Sequence, residues 1–418
     1  MQGGKMRRKI TKTVALVLLG VLLATLAGLV GCAEEEKATG NEIKYGWLWD
    51  FTGRAAVGVT QVFQGFKDYL RMTEEEDPIP GVTIKLLTYD TKSESARVMP
   101  GYVWLEGKGL DIMSAAPQDT ELLRSRFEAE QMPFYSLSNI LTMLDSEWLV
   151  SLFGPPEGAI EVLLQWIMDT WDYDTLGTPK IGFVGLAGVP FYESQLETAE
   201  EWMSDYPDKF EYVGAQMSPT TTTAWAVEIG RLKDSDFIMA AMSGPPLASF
   251  LIEARNRGYE GKLVGPMESF LAFWSLMKGA VPEEALDGVV VGVYQPWWND
   301  TGAFITQVKE YTEEYYSPDE VETLYLGTGQ YNGWAAGMIF VDALRRAVDK
   351  VGAENVDGIA LFQALKETNM TVEGFGSPWS ITEDANCFMQ TVRLMEYSSE
   401  VGDWVVVTGW SLPPCLGG

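Results

Sequence analysis

The sequence predicts an α/β protein built from two doubly wound, three-layer (αβα) lobes joined by a multi-strand hinge. Three observations carry that expectation. From residue 43 onward, short β-rich runs alternate with helical patterns, the order that makes βαβ units and parallel sheets. The alternation begins afresh near residue 157, giving two runs of similar size. After Tyr294 the chain supplies long helices and a closing hairpin, elements that complete lobes already begun, so the chain crosses between them several times. A length of 418 residues, more than one hydrophobic core usually fills, agrees with two lobes.

In order, residues 43–49 (IKYGWLW) read as a strand. Val59, Val62, Phe63, Phe66, Tyr69 and Leu70 then fall on one face of a helix. Strands at 82–88, 111–114 and 133–136 alternate with helices at 94–108 and about 119–130. The second run places helices at 157–171, 191–205, 223–233, 246–257 and 269–278. Strands at 180–185, 210–216, 236–241, 262–265 and 287–294 lie between and after them. Helices at about 300–316, 330–350 and 357–368 follow, and 391–410 reads as a β-hairpin. The expected first lobe is residues 42–155 with about 295–375, and the second is 156–294 with about 376–418.

Ahead of the folded part stands an export signal. Lys5, Arg7, Arg8, Lys9 and Lys12 form a cationic start, with Met6 an alternative first residue to Met1, and residues 13–30 form an uncharged apolar run. An uncleaved anchor helix is the other reading, since such a run just reaches across a bilayer. Residues 1–31 hold five of the 30 basic residues and none of the 59 acidic ones, so the remainder carries a net charge of −34. Such a chain repels phosphate backbones, and no nucleic-acid partner is expected. The absence of histidine excludes Ser-His-Asp and Cys-His catalysis and imidazole metal sites, and three cysteines without C-x-x-C spacing exclude a Cys₄ centre. No catalytic residue, metal or cofactor is expected. In an exported chain Cys387 and Cys415 are candidates for a disulfide, worth about 3–4 kcal/mol by chain entropy, with two buried free thiols as the alternative.

The junction Leu29-Val30-Gly31-Cys32 resembles the lipobox of bacterial lipoproteins, which implies lipidation of Cys32, a tether over residues 32–41, and anchoring at the outer face of the cytoplasmic membrane. Further on, WLWDFTGRAAVG (47–58), Tyr89-Asp90, residues 219–265 and TGQYNGWAAGMIFVDALRRAVDKVG (328–352) follow one another in a familiar order. In that order, over 42–410, the chain resembles the leucine/isoleucine/valine-type substrate-binding proteins of ABC transporters, with the type I periplasmic binding protein architecture. The resemblance implies a monomer that captures a small polar ligand, an amino acid, an amide or a related or aromatic compound, between its lobes by hinge closure and hands it to an ABC permease with its ATPase subunits.

It also implies where the ligand sits. Clefts outside the carboxyl ends of parallel strands take ligands, and helix N-termini there suit a carboxylate. Carried onto this chain, the first-lobe contacts are Gln118, Asp119 and Thr120 in one loop and Ser138 and Asn139 in the next. The second-lobe contacts are Tyr192 and Glu268, which in amino-acid-binding relatives hold the ammonium. Here the serine-rich loop of the family is replaced by Ala115-Ala116-Pro117-Gln118-Asp119-Thr120. An acid stands where a ligand carboxylate would approach. Trp47 with Trp49, and Trp297 with Trp298, read either as core and hinge packing or as aromatic walls of the cleft; Trp297 is taken as a candidate contact.

Other signals are set aside. The glycine-rich run 327–333 has the wrong spacing for a phosphate loop and reads as a helix start, and Asp169, Asp172 and Asp174 lack the calcium-loop register. Two further functions are compatible with the sequence: a surface glycoside hydrolase using two carboxylates, and a sensor that reports ligand to a signalling partner.

Overall fold

The structure is a computed structural model that describes residues 40–382 and 385–418. The signal, Cys32 and the tether up to residue 39 lie outside the described residues. Among the described residues no helix is long and apolar enough to cross a membrane.

The first lobe begins β1 (Asn41–Trp49), α1 (Ala56–Glu76), β2 (Val82–Asp90), α2 (Ser95–Glu106), β3 (Ile112–Ala115), α3 (Pro117–Glu130), β4 (Phe134–Ser136) and β5 (Leu149–Phe153). The helical face read from Val59 to Leu70 is the one α1 presents to the core. Strand β5, LVSLF, is buried at every position and shows no alternation, so a period-two pattern could not reveal it.

The second run comprises α4 (Pro156–Thr170), α5 (Tyr173–Leu176), β6 (Lys180–Leu186), α6 (Pro190–Asp205), β7 (Glu211–Ser218), α7 (Ala226–Leu232), β8 (Phe237–Ala241) and α8 (Pro245–Asn256). It closes with β9 (Lys262–Pro266), α9 (Met267–Phe270), α10 (Trp274–Ala280), α11 (Glu283–Leu286) and β10 (Val290–Val293). The expected helix at 269–278 is thus two short helices separated by a 3₁₀ turn at Leu271–Phe273. Asp172, one of the crowded acids, caps α5 by accepting from the Thr175 N–H at 3.1 Å.

The remainder is α12 (Ala303–Tyr315), α13 (Pro318–Tyr325), α14 (Gly329–Val351), α15 (Gly358–Lys366), β11 (Asn369–Met370), β12 (Trp379–Ser380), β13 (Cys387–Met389), β14 (Arg393–Ser398) and β15 (Asp403–Val406). Helix α13 starts with a capping box between Ser317 and Glu320, a sequence signal the periodicity reading passed over. The run 327–333 is indeed the start of a helix, α14.

Two large sheets result. The first is wholly parallel in the order β13-β5-β4-β3-β1-β2. The second runs β15-β14-β10-β9-β8-β6-β7, antiparallel only where β14 meets β10 and β15. Residues from 376 on were expected with the second lobe, yet Cys387–Met389 pairs with Ser151–Phe153 as an edge of the first sheet. The chain therefore leaves for the second sheet only after Met389.

Three segments thus pass between the sheets: after β5, after β10, and between β13 and β14. They are bonded to one another, with the Gly154 N–H on the Met389 carbonyl at 2.8 Å and the Tyr294 hydroxyl on the Pro155 carbonyl at 2.6 Å. Tyr294 lies so close to Gly154 that a Cβ there would stand 2.5 Å from its ring. The first lobe is further held by α1 against α14. A Cβ on Gly65 would lie 1.9 Å from the Gln330 carbonyl oxygen, and one on Gly333 1.9 Å from that of Val62. At that approach the Asp68 carboxylate, buried in the seam, accepts from Gln64, Tyr316 and Gln330 at 2.8, 2.5 and 2.6 Å.

Candidate functional site

Residues just beyond the carboxyl ends of β4 and β9 meet across the seam between the lobes, and they carry polar side chains. Ser138, just after β4, donates its hydroxyl to Glu268 Oε1 at 3.0 Å, a direct bond from first lobe to second. Glu268 sits in the first turn of α9, directly beyond β9. The other oxygen, Oε2, is buried and has no hydrogen-bond partner; neither has the hydroxyl of neighbouring Ser269. Burial, with a smaller contribution from Glu157, pushes the Glu268 carboxyl up to about 7, against the pull of Ser138.

Glu157 was not among the expected residues. It lies in the first turn of α4, immediately after the first crossing, and is 4% exposed. Its Oε1 accepts the Leu141 N–H at 3.2 Å, while Oε2 is buried without a partner. Burial raises its carboxyl to about 7, and Ser194 of α6 lies beside it. An acid in a first helical turn is what the helix dipole favours anywhere, so by sequence it looked like an ordinary dipole-matched residue. Its place at a lobe crossing was the available signal.

Tyr192, in the first turn of α6, shares a 2.7 Å hydrogen bond with Ser243, and burial raises its hydroxyl above the usual range. Its surroundings include Glu268 and the exposed guanidinium of Arg54, which among the described residues is in no ion pair. Ser138, Tyr192 and Glu268 are therefore brought together.

The Gln118–Thr120 loop is arranged differently from the expectation. Gln118 is exposed. Thr120 is buried, its hydroxyl turned back to the Ala116 carbonyl at 3.0 Å, so it faces the protein backbone. The backbone N–H groups of Asp119 and Thr120 are both engaged by the same carbonyl, at 2.9 and 2.8 Å. Asp119 is buried, and burial, with nearby Asp50 adding, pushes its carboxyl up to about 7. Asp50 itself is occupied by the Ala55 N–H at 2.8 Å and by the hydroxyl of Ser93. Asn139 donates to the Ser151 hydroxyl at 2.6 Å and so ties its loop to β5, although its own Oδ1 is unpartnered.

The aromatic residues are core. Trp47 and Trp49 pack against each other at a tilt within the first lobe, ring centres 5.9 Å apart, the latter donating to Ser114. Trp298 donates to the Gly327 carbonyl. Trp297 donates to Asp403 at 2.7 Å and lies against Trp404, which puts it on the β14–β15 hairpin. Asp300, from the same turn, makes a two-pronged ion pair with Arg393 at the start of β14. Cys387 and Cys415 share an apolar cluster with Leu144, Ala385 and Leu416. In the structure they are free thiols, because Cys415 turns to Glu161, whose carboxylate also takes its N–H at 2.8 Å.

Two parallel-dominated sheets, three crossings and a polar seam between strand ends define a two-lobe binding protein. The chain belongs to the periplasmic binding protein family, which matches residues 42–401. It is thus a solute-binding protein of the extracytoplasmic kind, in a family of binders and not of enzymes. The type I architecture and the leucine/isoleucine/valine-type resemblance expected from the sequence are both found. A branched chain amino acid ABC transporter from Thermus thermophilus with bound valine is similar, with 15% identity, a TM-score of 0.78, and coverage of 90% of this chain and 98% of that one. A fatty acid ABC transporter substrate-binding protein from Thermomonospora curvata has 17% identity and a TM-score of 0.73, covering 90% and 94%. A solute binding protein from R. palustris in complex with 4-hydroxybenzoate has 14% identity and a TM-score of 0.72, covering 89% and 98%. Among curated proteins, none matches the sequence.

Proposed function

We propose that this chain is the solute-binding lipoprotein of an ABC importer. It is anchored by a lipid on Cys32 to the outer face of the cytoplasmic membrane, works as a monomer, and delivers a small polar ligand to a permease with its ATPase subunits. The observation that carries the reading is the bond from Ser138 to Glu268 between the lobes, flanked by Tyr192 and by buried oxygens without partners. Buried polar atoms are nearly always satisfied, so those that are not, at a seam, mark where a ligand's groups go. Closing the hinge removes water from around them and strengthens each bond. The ligands bound in similar structures range from valine to 4-hydroxybenzoate, so the ligand follows from this cleft's own residues.

A thermal-shift screen of residues 33–418 with amino acids, amides, amines, aromatic acids and sugars tests this. A ligand at 100 times its dissociation constant adds roughly 2.7 kcal/mol, a shift of several degrees. Binding of one class without turnover supports the reading; breakdown of a glycan would favour the hydrolase. Mass spectrometry of the membrane-extracted protein should find a lipid-modified Cys32 as the first residue, and an unmodified Cys32 would refute the lipid anchor.

A further inference from the structure

Resting on the solute-binding reading, we propose that Glu157 and Glu268 form one subsite for the cationic group of a ligand without a carboxylate: an amine, amidine or guanidine. Each carboxylate already has one oxygen engaged by the first-lobe loop after β4, through the Leu141 N–H and the Ser138 hydroxyl. Each keeps its second oxygen buried and unpartnered. Neither is in an ion pair among the described residues. Two buried acceptors without donors are costly, and a cationic group with donors on two sides satisfies both. The charge of Glu157 raises the Glu268 carboxyl, and the buried Tyr294 hydroxyl feels both acids, so the two lie within electrostatic reach of each other.

The other first-lobe loop, after β3, carries the acid Asp119 in the first turn of its helix. The N–H groups of Asp119 and Thr120 are taken by the Ala116 carbonyl, and the buried Asp119 side chain, with Asp50 nearby, offers a ligand carboxylate no cation. Arg54, the cation near Tyr192, is exposed, so it stands at the rim and not beside the buried acids. The surrounding field has the same sense, since residues 32–418 hold 25 basic side chains against the full complement of 59 acidic ones. An α-amino acid brings one ammonium and one carboxylate, and fits this arrangement poorly at both ends.

The test is calorimetric titration of residues 33–418, and of the Glu157→Gln and Glu268→Gln variants, with six probes. These are 1,4-diaminobutane, agmatine and benzamidine against valine, glutamate and benzoate. At least one cationic probe should bind more tightly than every carboxylate. Its affinity should fall roughly 10- to 100-fold in each variant, the range for losing a hydrogen bond to a charged group. Circular dichroism of both variants establishes that they are folded. If valine, glutamate or benzoate binds more tightly than all three cationic probes, the inference is overturned while the solute-binding reading stands. If a cationic probe binds but Glu157→Gln leaves its affinity within twofold, the paired subsite is overturned. If none of the six binds, the inference also fails, and the broader screen decides the solute-binding reading separately.

Discussion

Glu157→Gln should make the ligand-free protein more stable, and by an amount that depends on pH. The Glu157 carboxyl, ordinarily near 4.5, is raised to about 7 by burial. The folded state therefore holds this proton more tightly than the unfolded state does. Between pH 4.5 and 7 the folded protein binds more protons, so the stability tied to this group is full below 4.5 and is lost as pH rises through 7. A rise of roughly 2.5 in pKa corresponds to about 3 kcal/mol. Glutamine keeps an oxygen for the Leu141 N–H and has no charge to desolvate. Removing this neighbouring charge also eases ionisation of Glu268, which adds to the gain at high pH. For a folded part of roughly 380 residues, unfolding entropy is on the order of 0.8 kcal/mol per degree, so 3 kcal/mol is about 4 °C. The assay is the difference in Tm between variant and wild type at pH 4.5, 6 and 8. It should widen with pH to about 4 °C. A difference that stays constant with pH, or narrows as pH rises, would refute the burial argument for Glu157.

Three other outcomes follow from the packing. Gly333→Ala forces a methyl group into the Val62 carbonyl and should cost about 2–3 kcal/mol, read by urea denaturation; an unchanged midpoint would mean that α1 and α14 stand further apart. Asp68→Ala strands the donors of Gln64, Tyr316 and Gln330 in that seam and should cost about 2–4 kcal/mol, whereas a loss under 1 kcal/mol would show that water serves them equally well. Cys387 and Cys415, both pushed well above the usual thiol range by burial, should be unreactive in the folded protein and both titrate once it is unfolded without reductant; finding neither would establish the bridge instead.

How far the sequence reached depended on whether a pattern was local. The α1 face and the terminal hairpin follow from periodicities that any short window shows, and both are present. Strand β5 carries no period because it is buried on both faces, and β13 is three residues whose meaning lies in a partner far along the chain. The site divides in the same way. Tyr192, Ser138 and Glu268 follow strands in the order that the resemblance required, and they meet. Glu157 was passed over because a first-turn acid is unremarkable by local pattern, although the lobe boundary expected at 155–156 stands right beside it. Trp297 misled because tryptophan suits both a ligand wall and a hinge, and only its bond to Asp403 separates the two.

The late arrival of β13 bears on how the protein reaches its folded state after export. A chain emerging from the membrane N-terminus first presents β5 more than 200 residues before its edge partner, Cys387–Met389, appears. Until then β5 is an unprotected parallel edge, LVSLF, with every residue destined for the interior. The second sheet also waits for a late partner: β10 ends at Val293, and β14 begins only at Arg393. Neither lobe can be finished during translocation, so both must close together at the end, through contacts of high sequence separation that form slowly. The chain therefore passes through a half-built stage in which those edges are open to pairing with one another.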